Sequence, residues 1–238
     1  MVARSLFPEF PENPNVTLHD GKVRPVVWFE PNILHGGSYQ KDQNTIDVTW
    51  PGYLRILKAR CWDRDNYIGD DTICNFPIRL IEWSKLALLD FLIQNYDRLD
   101  RNCCGYHNVS QGESCFRKQF HLECDGDPEN LMLVHILTLS TDTSRLVFID
   151  NAGNPKRSID ALNYKLLAGI EELPEHSVAI IKSGFLRSML RRSLYSDNIF
   201  WNKMTDEGID AMIETIEKRT EKLLTFIEEQ NIKLVPDY

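Results

Sequence analysis

Two short polar motifs in this chain carry the residue types that phosphoryl transfer needs. Residues 97–102 read DRLDRN, and residues 150–153 read DNAG. Transfer to a hydroxyl needs a carboxylate that orients the hydroxyl, and oxygen ligands for the metal ions that bridge the phosphates. In kinase catalytic loops the aspartate and the metal-binding asparagine stand five residues apart, and Asp97 and Asn102 have that spacing. Asp150 follows a β-prone segment, where a second metal-binding carboxylate is expected.

Each motif also has a structural interpretation. Residues 97–102 are compatible with a surface salt-bridge cluster, and residues 150–153 with an ordinary turn after a strand. The order of the motifs favours the phosphoryl-transfer hypothesis, because each stands at the polar end of a strongly apolar element.

The apolar elements before the motifs predict a buried helix and a β-hairpin. Residues 80–93 leave few polar positions, so the helix should be buried on nearly every side, and it is expected to end at Asn95. Residues 131–138 and 146–149 are apolar and β-prone. Residues 140–144, STDTS, have the composition of a turn between them.

The remaining elements predict an α+β fold that is mainly helical. Residues 26–29 are a short strand candidate, and residues 53–58 are expected in a short helix begun by Pro51. The remainder of the chain after the hairpin is expected to be helical, with Thr205 capping the last helix. Two apolar stripes support this expectation: Val178, Ile181, Phe185, Met189 and Leu190, then Ile209, Met212, Ile213, Ile216, Leu223 and Ile227.

Composition sets outer limits on function. The 238 residues are enough for a substantial core. The 35 acidic and 27 basic residues give a net charge of −8, which argues against nucleic acid as a partner. The sequence contains no apolar run of the ~18 residues that a transmembrane helix needs and no signal-peptide pattern at its start.

The cysteines indicate an oxidising compartment. All six lie within one 64-residue stretch: Cys61, Cys74, Cys103, Cys104, Cys115 and Cys124. An even number of clustered cysteines in loop-like sequence is typical of secreted proteins. Two N-glycosylation sequons, at Asn15 and Asn108, favour the same compartment. We therefore predict a disulfide between Cys61 and Cys74, and two more that join Cys103 and Cys104 to Cys115 and Cys124 in either order.

The same loop raises zinc binding as an alternative. His107 and His121 lie among its cysteines. Structural zinc sites usually have paired ligands two to four residues apart, and the adjacent Cys103 and Cys104 fit that spacing poorly. The sequence therefore favours disulfides over zinc.

The region around the first motif resembles a known family. Residues 90–105, DFLIQNYDRLDRNCCG, are similar to the catalytic-loop region of the Golgi-associated kinases, a branch of the secretory-pathway kinases that include the Golgi casein kinase and four-jointed. Further similarity covers RPVVWFEPNI at 24–33, DQN at 42–44, LVHIL at 133–137 and FIDNAGN at 148–154. The resemblance runs from about residue 24 to the last helix.

The resemblance implies specific roles and a setting. Asp97 matches the catalytic aspartate, Asn102 a metal ligand, and Asp150 the metal-binding aspartate of the DFG-equivalent, with Asn151 in place of phenylalanine. The cofactors would be ATP with Mn²⁺ or Mg²⁺, and the partners a nucleotide and a luminal protein. The setting would be the Golgi lumen, with a membrane anchor that these residues do not contain. The domain expectation is an irregular lead-in at 1–24 and a kinase C-lobe-like domain at 25–238.

The sequence departs from a kinase in its N-terminal part. A kinase N-lobe supplies a strand-borne lysine and a loop over the phosphates. Gly36-Gly37 is too short for that loop, and Lys58 stands in a helix-like context. We therefore expect the N-lobe to be largely missing and the chain alone to be inactive. The alternatives are a non-catalytic kinase-like module that binds a luminal partner, and a zinc-stabilised interaction domain.

The cysteine interpretation predicts the redox state of the protein. Protein made in the secretory pathway should contain no free thiols by thiol titration, and reduction should abolish folding, because each bridge contributes about 2–4 kcal/mol. Six free thiols together with bound zinc would instead establish the zinc-stabilised domain.

Overall fold

The computed structural model describes residues 33–34, 48–59, 78–95, 98, 133, 136–139, 141–148, 151, 153–195 and 206–236. In these ranges the helices are α1 (Trp50–Ala59), α2 (Leu80–Ile93), α3 (Glu175–Lys182), α4 (Leu186–Tyr195) and α5 (Asp206–Glu229). The strands are β1 (Ile33–Leu34), β2 (Ile136–Leu139), β3 (Leu146–Phe148), β4 (Glu172–Pro174) and β5 (Lys233–Val235). Two 3₁₀ turns cover Ile159–Ala161 and Tyr164–Leu167. The expected α+β class is confirmed.

Helix α1 begins with a side-chain cap that the sequence prediction did not name. The Oγ1 atom of Thr49 accepts a hydrogen bond from the Gly52 backbone N–H at 3.2 Å, which satisfies one of the unpaired donors of the first turn. Pro51 lies in that first turn, as predicted. The buried face of α1 includes Tyr53, whose ring centroid lies 5.3 Å from that of Trp83 on α2.

Helix α2 is the centre of the fold, and its predicted burial is confirmed. Trp83, Ala87 and Phe91 are fully buried, and polar Glu82 is buried with them. The Oε2 atom of Glu82 accepts a hydrogen bond from the Leu146 N–H at 3.1 Å, so the helix pairs with the first residue of β3. One continuous core extends from Val48 through α2 to α5.

The predicted hairpin is confirmed as strands β2 and β3. The strands are antiparallel, with Ile136 opposite Phe148 and Thr138 opposite Leu146. In the turn, Asp142 accepts hydrogen bonds from the backbone and the hydroxyl of Ser144, and the hydroxyl is the main cause of a lowered pKa of the Asp142 carboxyl. Strand β1, which was not predicted, pairs antiparallel with β2. The predicted strand at 26–29 lies outside the described residues.

The last part of the chain is less uniformly helical than predicted. Strands β4 and β5 form a parallel pair with Glu172 opposite Lys233. The predicted stripe from Val178 to Leu190 is divided between α3 and α4, because Gly184 has a φ of +72° that ends α3. Val178 and Ile181 are buried, whereas Phe185 and Met189 are among the exposed large apolar residues. Thr205 lies outside the described residues.

No helix in the described ranges is both long and apolar enough to span a membrane.

The Thr49 cap yields a stability prediction. Thr49→Ala should lower the free energy of unfolding by about 1 kcal/mol, because a first-turn N–H of α1 loses its acceptor. Urea titration measures this change. The control is Thr225→Ala, an exposed position within α5, where the change should stay within about 0.5 kcal/mol. Equal losses in the two variants would show that the cap contributes nothing.

Candidate functional site

The C-terminal end of α2 forms the framework of the candidate site. Gln94 adopts a left-handed conformation with a φ of 55°. The Gln94 N–H donates to the Phe91 carbonyl at 3.2 Å, and the Asn95 N–H donates to the Asp90 carbonyl at 2.8 Å. This pattern is a Schellman motif, a helix ending in which glycine usually occupies the left-handed position. The helix thus ends before Gln94, slightly earlier than the predicted end at Asn95.

The side chain of Gln94 accounts for glutamine at the left-handed position. Its Nε2 donates to the Phe91 carbonyl at 2.7 Å, and its Oε1 accepts from the Asn163 N–H at 2.9 Å. These two buried hydrogen bonds offset the conformational cost that a non-glycine residue has there.

The two remaining carbonyls of the last turn are bound by distant segments. The Leu92 carbonyl accepts from Nη1 of Arg219 on α5 at 3.0 Å. The Ile93 carbonyl accepts from the Asn154 N–H at 2.8 Å. An α-helix leaves its last four carbonyls without partners inside the helix. In α2 all four have donors, and two of the donors come from outside the turn.

Arg219 also holds the segment after the second motif. Its side chain is almost fully buried, and its Nη2 donates to the carbonyls of Asn154 at 2.6 Å and Arg157 at 3.4 Å. The guanidinium therefore connects the negative end of the α2 dipole to this segment. The planar group with several fixed donors suits such a task better than a lysine would.

Gly153 allows the second motif to approach α2 closely. A Cβ at this position would lie 2.5 Å from the Ile93 carbonyl oxygen and 2.9 Å from the Ile93 Cβ. These distances are too short for any side chain, so the last residue of the DNAG motif is required by packing against the helix.

A buried ion pair connects α2 to the first motif. The Nε atom of Arg98 lies 3.2 Å from Oδ1 and 3.0 Å from Oδ2 of Asp90, and both side chains have 0% exposure. Asn95 Nδ2 also donates to Asp90 Oδ1, at 3.1 Å. The carboxylate therefore has charge-assisted donors that compensate its burial.

Arg98 also contacts the second motif. Its Nη2 donates to Oδ1 of Asn151, and Nδ2 of Asn151 donates to the Phe148 carbonyl at 3.2 Å. A continuous chain of polar contacts thus runs from Asp90 through Arg98 and Asn151 to the end of β3. We call these three residues, Asp90, Arg98 and Asn151, the polar relay.

Tyr53 lies close enough to Asp90 for the negative charge of the carboxylate to act on its hydroxyl. Burial is the main cause that raises the pKa of the Tyr53 hydroxyl, and the negative charge of Asp90 raises it further. Among the described residues neither this hydroxyl nor the indole N–H of Trp83 finds a hydrogen-bond partner. Tyr53 therefore stays neutral, and Arg98 is the group that compensates the charge of Asp90.

Asp97, Asn102 and Asp150 themselves lie outside the described residues. Their sequence neighbours Arg98 and Asn151 are in contact, and consecutive Cα atoms are about 3.8 Å apart. The two motifs therefore meet through residues adjacent to two of the three predicted site residues. In the described part of the chain, no three acidic, histidine or cysteine side chains cluster in a way that would hold a metal ion.

The other sequence predictions have mixed outcomes. Lys58 lies on α1 and is exposed, as its helix-like context indicated. The six cysteines and the acceptor residues Asn15 and Asn108 lie outside the described residues, so the disulfides and glycans stay predictions. Sequence reasoning missed Asp90 and Arg219. The signal for Asp90 was a charge within the most apolar part of the helix, between Leu89 and Phe91, which implies a buried partner.

The role of Arg219 can be tested against its neighbour. Arg219→Met should lower the free energy of unfolding by about 3 kcal/mol, because three backbone carbonyls lose a charged donor. The control is Lys218→Met, which removes only the exposed pair with Glu214 and should cost at most about 0.5 kcal/mol. Both values come from urea titration, and similar losses in the two variants would contradict the structural role of Arg219.

Comparison with known proteins supplies a family. No solved structure matches this chain. The FAM198 protein family matches residues 2–238, almost the full length, with both polar motifs inside the match. The chain therefore belongs to the FAM198 family.

Proposed function

We propose that this chain is a kinase-like protein of the secretory pathway whose two polar motifs bind a metal–nucleotide complex for phosphoryl transfer to a hydroxyl. The observation that supports the proposal is the hydrogen bond from Arg98 to Asn151. This bond joins the DRLDRN motif to the DNAG motif although 53 positions separate the two residues.

The residue types of the motifs suit hard cations. Asp97 would orient the acceptor hydroxyl, and Asn102 and Asp150 would hold Mn²⁺ or Mg²⁺ through carboxylate and amide oxygens, the ligands such ions prefer. The metal ion would neutralise charge on the phosphates. Because Asp90 compensates the charge of Arg98, the Arg98 guanidinium would add little repulsion to a cation bound by the two motifs.

The resemblance to the Golgi-associated kinases and the cysteine pattern support the setting. In this proposal the protein acts in the Golgi lumen, where the six cysteines form disulfides. The hydroxyl acceptor belongs to a luminal protein, which is the second partner beside the nucleotide.

Metal-dependent nucleotide binding tests the proposal. The full chain should bind ATP in the presence of Mn²⁺ in isothermal titration calorimetry. Asp150→Ala should weaken that binding by at least about 100-fold, since even loss of an outer-shell partner costs about 10–100-fold in metal affinity. The control is Asp160→Ala, an exposed carboxylate in the 3₁₀ turn Ile159–Ala161, which should bind as the unchanged chain does.

A phosphorylation assay then separates an enzyme from a binding module. Transfer to a protein hydroxyl that Asp97→Ala abolishes, while Mn²⁺–ATP binding is kept, would establish the catalytic role. Binding without transfer is the result expected of this chain alone, because the N-lobe is largely missing. Absence of transfer also in a longer form that carries a lysine-bearing N-lobe would indicate the non-catalytic kinase-like module. Absence of any Mn²⁺-dependent ATP binding, or equal binding by Asp150→Ala, would contradict the proposal.

A further inference from the structure

The polar relay has a geometry that goes beyond joining the motifs. We propose that Arg98, held by Asp90, is a positioning residue for the metal site, because it fixes Asn151, the residue that follows Asp150 in the sequence, relative to the C-terminal end of α2. This inference rests on the proposed function, because it assigns Asp150 to the metal site.

The shape of the guanidinium supports this assignment. Arg98 uses Nε toward the Asp90 carboxylate and Nη2 toward Asn151. The group is planar and rigid, so its two contacts set a fixed separation between a carboxylate on α2 and the second motif. An ammonium group has no such fixed fork, so lysine would not reproduce both contacts.

The burial of the pair indicates a purpose other than stability. Both side chains are fully buried, and removing charges from water is so costly that apolar replacements of a buried ion pair are often equally stable. Stability alone therefore does not require Asp90 and Arg98. A requirement for a fixed Asn151 does account for a buried arginine at this place.

Contacts on both sides hold the second motif in register. Upstream, Asn151 Nδ2 binds the Phe148 carbonyl. Downstream, the Asn154 N–H binds the Ile93 carbonyl, and Gly153 lies directly against α2. Asn151 is the member of the polar relay that lies in the second motif, and one peptide unit joins it to Asp150.

Two variants separate positioning from stability. The double variant Asp90→Leu/Arg98→Met removes the ion pair as a unit and keeps apolar volume, so its unfolding midpoint should fall only by the contribution of the hydrogen bonds that Asn95 and Asn151 lose. Asn151→Leu removes the acceptor of Arg98 and the donor to the Phe148 carbonyl, and it keeps the ion pair. In both variants the Kd for Mn²⁺ alone should rise by about 10–100-fold, the usual effect of losing an outer-shell partner.

The matched control is Glu82→Gln. Glu82 is also a buried carboxylate on α2, but it binds the N–H of Leu146 at the start of β3. This variant should lower the unfolding midpoint and leave the Mn²⁺ affinity unchanged. Mn²⁺ binding is measured for the full chain by the electron paramagnetic resonance signal of the free ion, beside a urea titration of each variant.

The outcomes distinguish this inference from the proposed function. If Asn151→Leu binds Mn²⁺ with unchanged affinity, the positioning role is wrong. The proposed function still holds in that case, provided that Mn²⁺ binding depends on Asp150. If the unchanged chain shows no Mn²⁺ binding that depends on Asp150, both the positioning role and the proposed function are wrong. If the double variant does not fold, Asn151→Leu decides alone, because it leaves Asp90 and Arg98 paired.

Discussion

The four backbone carbonyls in the last turn of α2 need hydrogen-bond donors, and the surrounding segments are placed so that they supply them. These carbonyls are at the end of a helix buried on nearly every side, where an unpaired polar group costs about 1–3 kcal/mol. The donors come from the following residues, from Asn154 and from Arg219. Meeting this need brings α5 and the segment after the second motif to the same end of one helix.

Around that turn, buried charges are compensated locally. Asp90 has Arg98 and Asn95 as donors, and Arg219 points its charge at carbonyl oxygens, two of them in the segment after the second motif. Tyr53 stays neutral beside Asp90. These contacts therefore combine rigid hydrogen-bond geometry with a compensated Asp90–Arg98 pair and one positive charge, on Arg219, that faces carbonyl oxygens. Those are suitable surroundings for a site that would hold cations and phosphates.

Pattern and composition were sufficient for the long elements and insufficient for the short ones. The apolar run of α2 and the turn at Asp142 were predicted because each has a strong local signal. Strands β4 and β5 have three residues each, too few to show a period of two, and the break at Gly184 interrupts a stripe that looked continuous. The motifs were visible in the sequence, but the contacts of Asp90 and Arg219 were not, because their partners are set by tertiary structure. Asp97, Asn102 and Asp150 stay predictions.

The bond between Leu92 and Arg219 spans 127 positions, and this has a consequence for synthesis of the protein. At ~5–20 residues per second, Arg219 is added roughly 6–25 s after Leu92. Once residue 153 has been added, the nascent chain carries both polar motifs but still lacks the donor that completes the end of α2. The hydrogen bonds at the end of α2 are therefore complete only after translation of α5.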